Sequence, residues 1–128
     1  MSISNLQTYE GLCSFLDSLP ASRRDFPFGF DVLVHKLAGK VFSLMSWQAD
    51  PIRLSLKSDP AEAMRLRGLY PAITPGYHLN KRHWNTLLCD ESVPDDIVQG
   101  LILQSYDLVK SGLPRDARTQ LEMSTKEE

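Results

Sequence analysis

Cysteine is scarce in this sequence. Only Cys13 and Cys89 occur in 128 residues, and each lies in an apolar stretch, the first with helical and the second with strand patterning. This arrangement is typical of buried reduced thiols and argues against a disulfide framework. The sequence therefore predicts a fold that is stabilised by its hydrophobic core.

Long hydrophobic runs and a basic N-terminal region are also missing. The apolar pattern at the start of the chain is interrupted by Glu10 and Asp17. A stretch of this kind matches neither a signal peptide nor a membrane span. We therefore expect a cytoplasmic protein without a membrane partner.

Neither sign of charge is in large excess. The chain has 14 Lys and Arg against 16 Asp and Glu, which gives a net charge of -2 and a pI near 5.9. Because affinity for phosphates depends on Lys and Arg, this balance argues against a surface devoted wholly to nucleic acid. It leaves room for a local basic patch.

Recognisable catalytic and metal-binding motifs are missing as well. There is neither a Gly-x-Ser-x-Gly elbow nor a phosphate-binding Gly-x-x-x-x-Gly-Lys-Ser/Thr loop, and the Ala-Gly-Lys at residues 38–40 indicates a tight hairpin. His78, His83 and Cys89 do not follow an established zinc spacing. We predict a non-catalytic protein with no catalytic residues, no metal and no cofactor.

Hydrophobic periodicity indicates one α+β domain. A chain of this length buries enough surface for a single core. Helical patterns cover residues 6–19, 60–70, 94–111 and a short segment after Pro114, and strand patterns cover residues 33–37, 41–47, 52–57 and 86–89. The order α-β-β-β-α-β-α-α predicts an antiparallel β-sheet packed on one face by helices. We expect a domain over residues 1–123, a flexible tail over residues 124–128 and a monomeric state.

The limits of the predicted helices follow from capping residues. Ser4 with Gln7 three residues later is typical of a capping box, and Asp59 followed by Pro60 is the strongest helix start in the chain. Gly112 is placed to end the third helix in a left-handed conformation.

The third strand pattern has two different faces. Ile52, Leu54 and Leu56 alternate with Arg53, Ser55 and Lys57. Because successive side chains in a strand point to opposite faces, one face packs and the other meets solvent or a partner.

With these elements assigned, the sequence resembles the MmcQ/YjbR family. The resemblance rests on DFPFGFDVLVHKLAGKVFSL at residues 25–44, LSLKSDPAEAMRLRGLYPAITPGYHLNKRHWNT at residues 54–86 and QSYDLV at residues 104–109. It implies a CyaY-like fold, also described as a double wing, and a role in DNA binding. Frataxin-type proteins share this general fold and bind iron through an acidic first helix, but the first helix here offers only Glu10 and Asp17, so iron is not expected.

Polar and aromatic residues concentrate in residues 71–86, after the second predicted helix. Cations beside flat rings are typical of nucleic-acid binding, because the cations attract phosphates and the rings stack on bases. We therefore expect DNA as the partner. The predicted DNA-binding residues are Lys81, Arg82, His83, Arg65, Arg67, Lys57, Tyr77 and Asn80.

Two other interpretations of the same stretch stay open. In the first, a small aromatic ligand or a protein binds an apolar groove formed by Tyr77, Trp84, Trp47 and the loop that carries Phe26 and Phe28. The candidate groove residues are Trp84, His78 and Trp47. In the second, Trp84 is a core anchor, and Asn80 and Asn85 bond the backbone of a long loop. Separately, the Phe residues at 26, 28 and 30 are expected to anchor a packed loop rather than to contact a ligand.

Overall fold

A six-stranded antiparallel sheet and four helices make up the fold. The computed structural model describes residues 5–76 and 79–127, with side chains through residue 121. The elements are α1 (Tyr9–Ser18), β1 (Ser22–Asp25), β2 (Val32–Leu37), β3 (Lys40–Ser46), β4 (Arg53–Lys57), α2 (Pro60–Leu69), β5 (Ile73–Pro75), β6 (Trp84–Leu88), α3 (Asp95–Ser111) and α4 (Arg115–Glu127). The strands lie in the order β1-β2-β3-β4-β6-β5. None of the described helices is long and apolar enough to cross a membrane.

The predicted α+β class and antiparallel sheet are confirmed, with two short strands added. Both additions, β1 and β5, lie at the edges of the sheet. The sequence of β1, SRRD, shows no apolar alternation, and β5 has only three residues and ends in a proline. These strands form because their neighbours offer free backbone groups, which a side-chain pattern does not reveal.

Helix starts agree with the prediction in α2 and differ in α1. Asp59 caps α2, and its carboxylate accepts a hydrogen bond from Glu62 N–H at 3.4 Å. In α1 the cap is Thr8, whose hydroxyl accepts from Gly11 N–H at 3.0 Å, so the predicted start at Ser4 is wrong, although Ser4 itself lies outside the described residues. Helix formation begins later because the Thr8 side chain satisfies the first free N–H groups.

The side chain of Gln7 has a long-range role instead of a capping one. Its amide nitrogen donates to Val93 O at 2.9 Å and to Asp95 Oδ1 at 2.8 Å, and its oxygen accepts from Glu91 N–H at 3.1 Å. These bonds fasten the N-terminal segment to the start of α3.

The end of α3 also differs from the prediction. Gly112 has φ -86°, in the right-handed region, and its N–H bonds to Leu108 O and Val109 O. The predicted left-handed cap is therefore wrong, because a right-handed turn satisfies these carbonyls before α4 begins. Helix α4 includes residues 124–127, for which a flexible tail is predicted.

The core lies between the sheet and α3. Helix α3 packs on β2, β3 and β4. Phe42, Met45, Leu54 and Ile102 are completely buried, and each such side chain stabilises the fold by roughly 1.5–3 kcal/mol. The sheet is therefore attached to its helical layer on the face that carries Leu54.

Ser105 is a buried polar residue in this core. Its hydroxyl donates to Phe42 O at 2.6 Å and accepts from Lys57 N–H at 2.9 Å. The β3–β4 register ends at Ser43 and Leu56, so these two backbone groups lie beyond the paired part of the strands. One hydroxyl thus replaces a ladder hydrogen bond where β3 and β4 separate.

A second polar contact fastens α1 to the sheet. His35 is fully buried, and its Nε2–H donates to Asp17 Oδ1 at 2.9 Å, while Arg24 binds the same carboxylate at 2.6 Å. Burial lowers the pKa of His35 despite the nearby carboxylate, and the hydrogen bonds from Arg24 lower the pKa of Asp17. His35 is therefore neutral at pH 7, as a structural histidine.

Replacing Ser105 tests its bridging role. We expect Ser105→Ala to lower the free energy of unfolding by about 1–3 kcal/mol, because it leaves the Lys57 N–H buried without an acceptor. Urea denaturation measures this change. The control is Ser111→Ala, which removes an exposed hydroxyl that bonds only within α3. Equal stability of the two variants would contradict the role of Ser105.

His35 should make stability depend on pH. The folded pKa of His35 lies below its ordinary value of about 6.5, so the unfolded chain binds more protons there. We expect the free energy of unfolding to fall as the pH drops below about 6.5. Asp17, whose folded pKa is lowered, adds a further loss only near and below about pH 4.

Urea denaturation in steps from about pH 7.5 to about pH 5 measures the His35 effect. His35→Gln should be less stable at neutral pH but should show a flatter dependence on pH. An unchanged slope in this variant would assign the titration to another group.

Candidate binding face

The central strand β4 separates a face packed under α3 from the opposite face of the sheet. Leu54 and Leu56 lie on the face under α3, so Arg53, Ser55 and Lys57 lie on the opposite face. We call this second face the open face. The sequence predicts that Arg53, Ser55 and Lys57 face solvent or a partner. These residues lie on the face opposite α3.

A cleft of about 350 Å³ lies on the open face. Its two walls come from loops: Phe28 lies between β1 and β2, and Leu79 lies between β5 and β6. The rest of the lining comes from four neighbouring strands and consists of Val32, Leu44, Ser46, Arg53, Ser55 and Thr86.

The polar groups of the cleft follow from the strand register. Ser55 and Thr86 are directly opposite each other on β4 and β6, and their hydroxyl oxygens are 2.8 Å apart. Arg53 is opposite Ser46 on β3 and is exposed. The cleft therefore combines apolar walls with a hydroxyl pair and one cation.

The loop between β1 and β2 is more exposed than expected. Phe26, Phe28 and Phe30 are 39%, 67% and 66% exposed, so the expectation that they anchor a packed loop is wrong. The Phe30 ring instead stacks on Phe26 and contacts the edge of Trp47. The indole N–H of Trp47 donates to Phe30 O at 2.9 Å. Among the described residues, Phe28 has no aromatic partner.

The loop between β5 and β6 has a tightly built frame. A Cβ atom at position 76 would lie only 2.8 Å from the Trp84 Cβ. The close approach of the chain at Gly76 to Trp84 therefore requires glycine. Asn80 shapes the turn, because its side-chain oxygen accepts from Arg82 N–H at 2.9 Å and its carbonyl accepts from Trp84 N–H at 3.0 Å. Trp84 is half-buried and lies opposite Lys57. Two predicted site residues, Tyr77 and His78, lie outside the described residues.

Arg67 anchors this loop to α2. Its guanidinium donates to Asn85 Oδ1 at 2.7 Å and to the backbone carbonyl of Lys81. The Asn85 amide in turn donates to Ala63 O at 3.2 Å. Arg67 thus satisfies the carbonyl groups of an irregular loop, which is a structural task for a residue predicted to contact DNA.

The other predicted cations divide into two groups. Arg65 forms an ion pair with Glu62 on its own helix, and Lys81 donates to Gly76 O at 3.3 Å within the loop. Arg82 is exposed and stands one residue before His83, whose carbonyl accepts from Ser58 N–H at 2.7 Å. The structure therefore brings Arg82 and His83 to the end of β4, beside Lys57.

The described part of the chain contains no group of three or more His, Cys, Asp or Glu side chains that could hold a metal ion. Burial raises the pKa of Cys89 to about 12, so its thiol stays protonated at neutral pH.

The family follows from comparison with known proteins. The YjbR family model matches residues 17–108, which include the whole sheet. The chain belongs to the YjbR family. It is 37% identical to YbdF of Escherichia coli O157:H7 over 97 residues, which are 76% of this chain and 80% of that protein. It is 33% identical to YjbR of Escherichia coli K12 over 86 residues, 67% of this chain and 73% of that protein.

Two solved structures resemble this YjbR-family fold. A crystal structure of the Deinococcus radiodurans protein DR2400, with domain DUF419, has 40% identity and a TM-score of 0.86 and covers 93% of this chain and 91% of its own. A Pseudomonas syringae protein has 23% identity and a TM-score of 0.69 over 79% of this chain and 97% of its own, which shows the fold alone. The names of these four relatives state no activity or ligand.

Several residues of the cleft are missing from the predicted site. The alternation in β4 points to Arg53 and Ser55, but nothing in the sequence distinguishes Leu44 or Leu79 from ordinary core residues. The loop of Phe28 belongs to the groove interpretation, but Phe28 is not among the candidate residues because three phenylalanines in one loop are typical of packing. Only the fold shows that these side chains meet on one face.

Arg67 and Arg65 provide a matched test of the loop anchor. We expect Arg67→Lys to lower the free energy of unfolding by about 1.5–3 kcal/mol. A single ammonium group cannot replace the several N–H donors of the guanidinium, so acceptors in the loop lose their hydrogen bonds. Arg65→Lys, on the same helix, should leave stability unchanged because its ion pair is exposed. Thermal and urea unfolding measure both. Equal effects would show that Arg67 is not the anchor.

Proposed function

We propose that this YjbR-family protein is a non-catalytic DNA-binding module that uses the open face of its sheet. The proposal includes a cytoplasmic location and a monomeric state. Light scattering after size-exclusion chromatography tests the monomeric state directly.

The observation that carries the proposal is the placement of cations around β4. Lys57 and Arg53 alternate with Ser55 on the open face, and the hydrogen bond from Ser58 to His83 holds the Arg82 segment at the end of the same strand. A row of cations on an uncovered surface favours contact with successive phosphates.

An aromatic ring lies within this row. Trp84 is directly opposite Lys57 in the β4–β6 register and is half-buried. The exposed part of its side chain adds apolar contact area beside that cation. Such a combination supports binding to the sugar–phosphate backbone rather than base-specific recognition in a groove.

A small-molecule ligand is the second candidate partner. The cleft supports it, because a cavity of about 350 Å³ with mostly apolar walls and a few polar groups falls in the size class of ligand sites. This candidate depends on Phe28 and Leu79, whereas the DNA proposal depends on Lys57 and Arg82.

The test is a fluorescence anisotropy titration with a labelled duplex of mixed sequence at two salt concentrations. The parent protein should bind more weakly at higher salt. Lys57→Ala combined with Arg82→Ala should weaken binding to all sequences. It should also reduce the slope of log K against log salt concentration by about 2, because two phosphate contacts are lost.

The control is Arg115→Ala, which removes an exposed cation at the start of α4, outside the sheet. It should bind as the parent does. If the parent binds no duplex at low salt, or if the double variant binds as well as the control, the proposal is wrong.

A further inference from the structure

We infer that the cleft on the open face binds a single nucleotide unit, with its base against Phe28 and its phosphate at Arg53. The inference rests on the proposed function in using the same face, and extends it from backbone contacts to an unpaired base. The same chemistry is offered by a free nucleotide and by a nucleotide within a single strand.

The first reason is the state of Phe28. It lines the cleft and yet remains 67% exposed, and none of the described residues supplies a ring against it. Its neighbours Phe26 and Phe30 stack on each other, and Phe30 also contacts Trp47. The loop is thus fixed by two of its rings, while the third presents a free aromatic surface on which a flat ring can stack.

The second reason is the hydroxyl pair on the cleft floor. Ser55 and Thr86 are both buried, and either hydroxyl can donate to the other across 2.8 Å. A hydroxyl has one donor and two acceptor lone pairs, and either atom of the pair can be the donor, so Ser55 can offer either role to a ligand. The edge of a nucleobase needs both roles, and the apolar walls formed by Phe28 and Leu79 suit its faces.

The third reason is the cation at one end of the cleft. Arg53 and Ser46 are register partners on β4 and β3, which places their Cβ atoms about 4.5–5.5 Å apart. A guanidinium beside a hydroxyl is suited to a phosphate, because Arg donates several N–H bonds in a fixed plane. The cleft thus combines an aromatic wall, a hydroxyl pair and a cation, which are the contacts that the base and phosphate of a nucleotide require.

The size of the cleft agrees with this ligand. A volume of about 350 Å³ is near the lower end of the range for small-molecule sites, roughly 300–1,000 Å³. It therefore suits a ligand the size of one nucleotide.

The experiment compares ligands by two-dimensional NMR titration and anisotropy. The ligands are dAMP, dTMP, inorganic phosphate, a labelled single-stranded oligothymidylate and the mixed duplex. We expect both nucleotides to shift the resonances of Ser55, Thr86 and Leu79 more strongly than phosphate does, and the single strand to bind more tightly than either nucleotide.

Phe28→Ala should weaken nucleotide and single-strand binding by about tenfold or more, through loss of base stacking, and leave duplex binding unchanged. Arg53→Gln should weaken nucleotide binding and remove the response to phosphate. The control is Leu103→Ala, which removes an exposed apolar side chain on α3, outside the cleft. Thermal melts of all three variants verify folding.

The outcomes separate this inference from the proposed function. Nucleotide binding that Phe28→Ala abolishes, in a protein that binds no DNA, supports the cleft with a free nucleotide and overturns the DNA proposal. DNA binding that Phe28→Ala leaves unaltered, with no response to nucleotides, overturns the cleft and leaves the proposal standing. Equal losses in Phe28→Ala and Leu103→Ala also overturn the cleft, because they indicate an effect that is not specific to the stacking ring.

Discussion

The two-residue period of β4 determines where this protein packs and where it is available for binding. Leu54 and Leu56 must lie on one face of the sheet, so Arg53, Ser55 and Lys57 must lie on the other. Because a shift of register by one residue would bury the cations, burial of the leucines under α3 fixes the position of the polar row. Stability and the candidate site therefore depend on the same register.

Loops complete what the strands begin, and buried polar contacts hold those loops in place. Arg67 satisfies the carbonyl groups of the loop before β6, and Trp47 supports the loop before β2 through its bond to Phe30 O. Both contacts come from the supporting structure, not from the exposed tips of the loops. Phe28 and Leu79 can therefore project over the open face while the backbone beneath them remains defined.

The sequence predicts features that depend on neighbouring residues and fails for those that depend on distant ones. The start of α2 and the alternation of β4 are local patterns, and the structure confirms both. The edge strand β5 forms only because β6 lies beside it, and the exposure of Phe28 depends on which ring Trp47 supports. Similarly, Arg67 resembles a surface cation until the fold places Asn85 within 2.7 Å.

The roles of the cations also change what the loop can contribute to DNA binding. A count by sequence assigns four basic side chains to residues 65–82, but Arg67 and Lys81 donate to backbone carbonyls and Arg65 pairs with Glu62. Of these four, only Arg82 is exposed without a described side-chain contact. Together with Lys57 and Arg53 it would neutralise about three phosphates, which corresponds to a salt slope near -3 rather than the steep dependence of a fully basic surface. Three phosphate contacts alone give weak binding. An unpaired base in the cleft is a further contact on the same face that would raise the affinity.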